Sequence, residues 1–129
     1  MDSQDHIADN PQIAHFFAGK PDITRDLFNF FISRYLQLGH ICLVPTKTMI
    51  AVTAGTADSR RIAWVTQFGK NFIHVVFPFR EEYADNLCFT KVGKVPGSAT
   101  QYNHHFRMCF TDDVNDEVES YMKKALLEG

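Results

Sequence analysis

The sequence predicts an α+β domain: an antiparallel, twisted sheet of about five or six strands, with the N-terminal and C-terminal helices packed on one face. Two observations carry this prediction. The most apolar part of the 129-residue chain lies at its centre, at residues 60–80, and its side chains alternate there as they do in strands. Weaker strand patterns flank this segment, and a helical pattern lies near each end of the chain.

Residues 60–80 predict two antiparallel strands, 62–68 and 72–79, joined by a turn at Gly69-Lys70-Asn71. Gly69 is expected to supply the positive φ of a short hairpin turn. One face of the hairpin carries Ile62, Trp64, Thr66 and Phe68, then Ile73, Val75, Phe77 and Phe79. The second face is expected to carry Ala63, Val65, Phe72, His74 and Val76. Because both faces are apolar, the pattern leaves open which one meets the helices.

The remaining elements follow from punctuation and periodicity. Residues 1–10 predict a polar, mobile arm that is not a signal peptide, and residues 11–129 predict a single domain. Before the hairpin we expect helices at 12–18 and 21–38, the second stopping at Gly39, and strands at 40–44 and 48–53. After it we expect an edge strand at 88–95, a strand at 101–110, and a final helix to about 127 that is capped by Thr111, Asp112 and Asp113.

Composition argues against several classes of protein. The formal net charge is -2, so no basic excess indicates nucleic-acid binding. No apolar run reaches the length of a transmembrane helix, so no membrane partner is expected. The three cysteines, Cys42, Cys88 and Cys109, are far apart and form no CxxC pair. Reduced thiols and a cytoplasmic location are the simplest interpretation.

Several short strings occur in a characteristic order along the chain. They are His15-Phe16-Phe17-Ala18-Gly19-Lys20-Pro21, Leu38-Gly39, Pro45-Thr46-Lys47-Thr48 with Ile50-Ala51, Arg61-Ile62-Ala63-Trp64-Val65, and His104-His105-Phe106-Arg107. On these strings the chain resembles, over nearly its whole length, a small bacterial family labelled as a domain of unknown function. Members of that family are sometimes fused to restriction-endonuclease-like or predicted transport modules. The resemblance implies no reaction and no catalytic residue.

The string Pro45-Thr46-Lys47-Thr48 joins two predicted strands and offers a cation, two hydroxyls and backbone amides. Such a loop can hold a phosphate or a carboxylate, so Thr46, Lys47 and Thr48 are candidate ligand-binding residues. It lacks the glycines and the following helix of a P-loop. The alternative is an exposed strand connection with a solvated lysine, which is the more common use of such a segment.

Histidines invite a metal site, but the pattern does not support one. His104 and His105 are adjacent in a predicted strand, so they point to opposite faces and cannot chelate one ion. A site would need His105 with His74 from a neighbouring strand, with Cys109 as a further candidate ligand, and no carboxylate is placed to complete it. We therefore predict no metal ion and no cofactor, and we treat His74 and His105 as candidate ligand contacts. No helix begins directly after a strand cysteine and no two carboxylates are paired, so no catalytic residue is predicted.

Basic residues could form a rim around the sheet: Arg60, Arg61, Lys70, Arg80, Lys91, Lys94 and Arg107. With Trp64 and Tyr102 nearby, single-stranded nucleic acid could stack there, which makes Arg61, Trp64 and Arg107 candidate contacts. The simpler alternative is strand-end charges that prevent edge-to-edge pairing.

Three functional hypotheses follow. The first is a non-enzymatic binding or interaction domain, whose second sheet face, extended by His105 and Arg107, is a homodimer interface or one wall of a cleft for a small ligand or protein. The second is a nucleic-acid-associated accessory domain. The third is an anion-binding hydrolase or transferase that uses Lys47 and a histidine.

Overall fold

The computed structural model of the protein describes residues 10–128, which form three helices and one six-stranded antiparallel sheet. The helices are α1 (Pro11–Ala14), α2 (Asp22–Leu38) and α3 (Asp116–Leu127). The strands are β1 (Ile41–Pro45), β2 (Ile50–Ala54), β3 (Arg61–Phe68), β4 (Ile73–Phe79), β5 (Lys91–Lys94) and β6 (Tyr102–Met108). The predicted α+β class is confirmed. The predicted arm, apart from Asn10, lies outside the described residues.

The strand order is β1-β2-β3-β4-β6-β5. The first four strands form a meander, in which each strand pairs with the next one along the chain. The chain then crosses to the far edge to form β5 and returns as β6, which pairs with both β4 and β5. Strands β3, β4 and β6 are therefore central, and side chains from all three can meet on one face.

The N-terminal and C-terminal helices pack on one face of the sheet, as predicted. α2 buries residues spaced three and four apart, and α3 does the same with Val118, Met122 and Ala125. These helices cover the alternate β4 residues Ile73, Val75, Phe77 and Phe79. Within the described residues, no helix combines the length and apolarity needed to cross a bilayer.

The expected second face is wrong for β3. Ala63 and Val65 belong to the core beneath the helices, whereas Trp64 lies on the opposite face. The pairing register shifts at two points, between Val52 and Thr53 of β2 and between Val65 and Gln67 of β3. Each irregularity reverses the alternation locally. Ile62 and Phe68, near the two ends of β3, therefore reach the core even though Ala63 and Val65, which have the opposite parity, also lie in it.

The turn after β3 needs glycine for a reason other than the expected one. Gly69 does not have a positive φ; among the described residues, positive φ occurs at Gly19, Gly55 and Gly97. A Cβ at Gly69 would collide with the ring of Phe72. Glycine here allows the close approach of an aromatic ring.

The start of the final helix also differs from the expectation. Thr111–Asp113 forms a separate 3₁₀ turn, in which the Asp113 carboxylate accepts from the backbone amides of Cys109 and Phe110. The cap of α3 is Asn115, whose side-chain oxygen accepts from the Val118 amide at 3.0 Å. The predicted capping residues Thr111, Asp112 and Asp113 therefore form the turn that precedes α3 and do not cap the helix.

Candidate ligand-binding face

The face of the sheet opposite the helices carries a continuous strip of side chains. Strand pairing places one residue of each strand in a row across this face, called here the central row: Val44, Ala51, Trp64, Val76, His105 and Lys91. Directly opposed residues of antiparallel strands project to the same side. The central row is apolar at the β1 edge of the sheet and cationic at the β5 edge.

A depression of about 820 Å³ lies over the middle of the central row. Its lining residues are Thr46, Met49, Trp64, Thr66, Gln67, His74, Val76, Lys91, Gln101, Asn103 and His105. They combine an apolar floor with amide, hydroxyl, imidazole and ammonium groups, and among the described residues no aspartate or glutamate lines this depression. This mixture of apolar surface and a few convergent polar groups is typical of small-molecule sites.

Two histidines meet within this depression. His74 Nε2 and His105 Nδ1 lie 2.9 Å apart, a hydrogen bond in which one ring donates and the other accepts. Burial is the main cause that lowers the pKa of His74, and repulsion from a protonated His105 and from the Arg107 guanidinium lowers it further. Burial, and then Lys91, lower the pKa of His105. Both rings are therefore neutral near neutral pH, and they offer a ligand both hydrogen-bond donors and acceptors.

The histidine pair is poorly suited to a metal ion. Two neutral imidazoles are good ligands for transition metals. However, the described residues contain no group of three histidine, cysteine or carboxylate side chains arranged to hold one. Lys91 and Arg107 also lower the histidine pKa values through their positive charge, and the same charge repels a cation. The electrostatics of this face favour an anion.

A second depression, of about 530 Å³, adjoins the first where β3 begins and β4 ends. Trp64 and Gln101 line both depressions. Three arginines line the second one: Arg60, Arg61 and Arg80. The Arg61 guanidinium carbon lies 5.4 Å from the centre of the Trp64 ring, within cation–π distance. The two depressions are therefore joined at one aromatic side chain.

The structure places the eight predicted ligand-binding residues in four locations. Thr46, Trp64, His74 and His105 line the larger depression, and Arg61 lines the smaller one. Arg107 lies at the periphery, with its guanidinium carbon 3.8 Å from the centre of the Phe72 ring. Lys47 and Thr48 are exposed in the β1–β2 turn and line neither depression.

Five lining residues were not singled out from the sequence: Met49, Thr66, Gln67, Gln101 and Asn103. Gln101 and Asn103 have the same parity as His105, so strand alternation could have placed them on the same face. Met49 lies just before β2, inside the predicted strand 48–53, and has the same parity as Ala51, so alternation could have placed it on this face as well. Thr66 and Gln67 lie at the register shift of β3, where alternation fails.

Two other potentially reactive side chains, His104 and Cys88, lie in surroundings that suit packing and not catalysis. His104 is fully buried on the helix face, where its Nε2 accepts from the Tyr83 amide at 3.0 Å and its Nδ1 donates to the Tyr102 carbonyl oxygen at 3.1 Å. Burial, followed by the nearby Glu117 carboxylate, raises the pKa of the Cys88 thiol to about 12. A thiol with so high a pKa is a poor nucleophile near neutral pH.

Comparison of the chain with protein-family models, with curated proteins and with solved structures finds no match in any of the three. The resemblance to the bacterial family of unknown function therefore stays a prediction. The functional interpretation rests on the face of the sheet opposite the helices, called here the open face.

Proposed function

We propose that this protein is a binding domain for a small molecule, held on the open sheet face over the central row. The observation that supports it is the depression of about 820 Å³ around Trp64 and the His74–His105 pair. Small-molecule sites have volumes of roughly 300–1,000 Å³. The depression is large enough for such a ligand.

The floor of this site is built on the most firmly held part of the sheet. Trp64, His74 and His105 come from β3, β4 and β6, each of which is paired on both sides. A ligand would therefore meet side chains on a preformed scaffold, and little ordering would oppose binding. Within residues 10–128, no cysteine, serine or carboxylate lines the depression, so the proposal is for binding and not for turnover.

Trp64 provides the experiment, because it is the only tryptophan of the chain. A fragment collection would be screened by thermal shift, and each hit would be titrated while Trp64 emission is recorded. We expect hits that change Trp64 emission and that lose binding in Asn103→Tyr, which narrows the depression at a half-buried position. Thr48→Val, an exposed change outside the depression, is the control. Hits that bind Asn103→Tyr as well as the parent would contradict the proposal.

Self-association through the same face is the second candidate. It is favoured by the apolar end of the central row, where Val44 and Trp64 are half-buried and could pack against a second copy, while Ala51 and Val76 are already buried. Light scattering after size exclusion would decide between the two. A dimer that Val44→Lys converts to a monomer would assign the face to self-association. A parent protein that is already monomeric would leave the face to a ligand.

A further inference from the structure

We propose that the ligand is a planar aromatic molecule with one anionic group, its ring over the central row beside Trp64 and its anionic group between Arg61 and Arg80. This inference rests on the proposed function, because it names the class of ligand for the same site. It extends that site into the second depression.

The first argument is the distribution of charge. Every aspartate and glutamate among the described residues lies in a helix, turn or loop, and none lies in a strand. The strands carry cations instead: Arg61, Lys91, Lys94 and Arg107. Three of these cations, Arg61, Lys91 and Arg107, project from the open face, whereas Lys94 pairs with Tyr102 and lies on the helix face. These three cations give the open face a positive potential although the formal net charge of the chain is -2. Because the described strands carry cations and no carboxylate, their positive surface attracts anions.

The second argument is that two arginines are available. Arg60 is engaged, because its guanidinium donates to the carbonyl oxygens of Ala125 and Leu126 at 2.7 Å each. Arg61 and Arg80 make no ion pair and no side-chain hydrogen bond with any described residue. A pair of guanidinium groups with free donors is well suited to a phosphate or carboxylate.

Glu128 is the one carboxylate among the described residues that line the second depression, and it does not pair with Arg61 or Arg80. Glu128 pairs with Lys124 of α3, with 3.5 Å between the lysine nitrogen and a carboxylate oxygen. The charge of Glu128 is therefore balanced on the helix side. Arg61 and Arg80 are left for an anion from solution.

The third argument is the position of Trp64. This ring lines both depressions, and Arg61 lies against it. A ligand ring placed beside Trp64 in the larger depression would bring an attached anion toward the arginines of the smaller one. Aromatic rings pair in offset or edge-to-face arrangements, and Val76 beside Trp64 adds apolar contact. Gln101, shared by both depressions, can donate to the ligand between its two parts.

Three probes with the same ring test this inference: naphthyl phosphate, naphthoate and the neutral naphthalenemethanol. Their dissociation constants would be measured from the single indole N–H signal of Trp64 in NMR titrations. We expect at least one anion to bind about tenfold more tightly than the alcohol, the effect of one charge-assisted contact. Whether phosphate or carboxylate gains more identifies the anion. Arg80→Gln should remove the gain and leave the affinity for the alcohol unchanged.

Lys94→Gln is the matched control, because it removes the same charge from a strand residue that lines neither depression. It should leave the affinities for all three probes unchanged. Equal affinities for the alcohol and both anions, with Trp64 perturbed by all three, would overturn this inference and leave the proposed function intact. No perturbation of Trp64 by any probe or fragment would overturn both. A single-stranded oligonucleotide that binds more tightly than naphthyl phosphate, and is weakened equally by Arg80→Gln and Lys94→Gln, would also overturn the inference and assign the cations to nucleic acid.

Discussion

His74 on β4 and His105 on β6 form a hydrogen bond between their rings, Nε2 to Nδ1, at 2.9 Å. Arg107 lies directly opposite His74 across the two strands, and Lys91 lies opposite His105. A proton added to either ring would place a charge among existing cations in a partly buried setting. The folded protein therefore favours the neutral form of both rings, and protonation at low pH should destabilise the fold.

We expect stability to fall as the pH is lowered. The folded-state pKa values of His74 and His105 lie below the ordinary value of 6.5. Below about pH 6.5 the unfolded chain therefore binds more protons at these two histidines than the folded chain does. The contribution of the neutral pair to the free energy of unfolding is fully present above about pH 6.5 and is lost as the pH falls through the folded-state pKa values. His105→Gln should reduce the loss of Tm between about pH 8 and about pH 5.

The loss of Tm should not disappear in His105→Gln, since burial also lowers the pKa of His104. His15→Gln, at an exposed histidine, is the control and should keep the slope of the parent. A His105→Gln protein with the parent's pH dependence would show that the ring pair does not resist protonation.

The buried hydroxyl of Tyr35 joins the two long helices. It donates to the Met122 carbonyl oxygen of α3 at 2.8 Å, and burial raises the pKa of the phenol. Tyr35→Phe keeps the ring and removes the donor. It should lower the free energy of unfolding by about 1–2 kcal/mol, measured by urea denaturation. Tyr102→Phe, whose hydroxyl bonds no described residue, should change it by less than about 0.5 kcal/mol. Similar losses in both variants would contradict this role.

Arg60 stabilises the C-terminal end of α3 and does not belong to a free basic rim. Its guanidinium binds two of the last helical carbonyl oxygens. Arg60→Gln should lower the free energy of unfolding by about 1 kcal/mol and speed hydrogen exchange in the last turn of α3. Arg60→Lys should recover only part of the loss, because an ammonium group cannot span both carbonyls. Arg25→Gln, at an exposed arginine of α2, is the control. An unchanged exchange rate in Arg60→Gln would show that the contact contributes little.

Strand alternation predicted β4 and β6 well because each is regular along its length. Ile73, Val75 and Phe77 face the helices, and His74 and Val76 face away. β3 could not be predicted in the same way. Thr66 has no pairing partner in β4, because the pairing register shifts there. The position of this shift depends on the pairing with the neighbouring strand, and the residues around Thr66 in the sequence do not indicate it.

The same limit applies to the candidate site. Alternation placed His74 and His105 on compatible faces, but their contact requires β6 to lie beside β4. The long connection between these strands, which contains β5, hides that neighbour relationship from local patterns. The Thr46-Lys47-Thr48 string, chosen for its chemistry, contributes only Thr46 to the depression. The hydroxyl of Thr46 also donates to the Met49 carbonyl oxygen at 2.9 Å and closes the turn.

The strand order also has a consequence for synthesis on the ribosome. β4 pairs with β3 as soon as both have emerged, but its other edge is completed only by β6, which begins 23 residues after β4 ends. During that interval the nascent chain exposes the edge of a strand in which five of seven residues are buried in the folded protein. An unpaired edge is a template for aggregation, so the nascent chain is prone to aggregate until β6 emerges and pairs with β4.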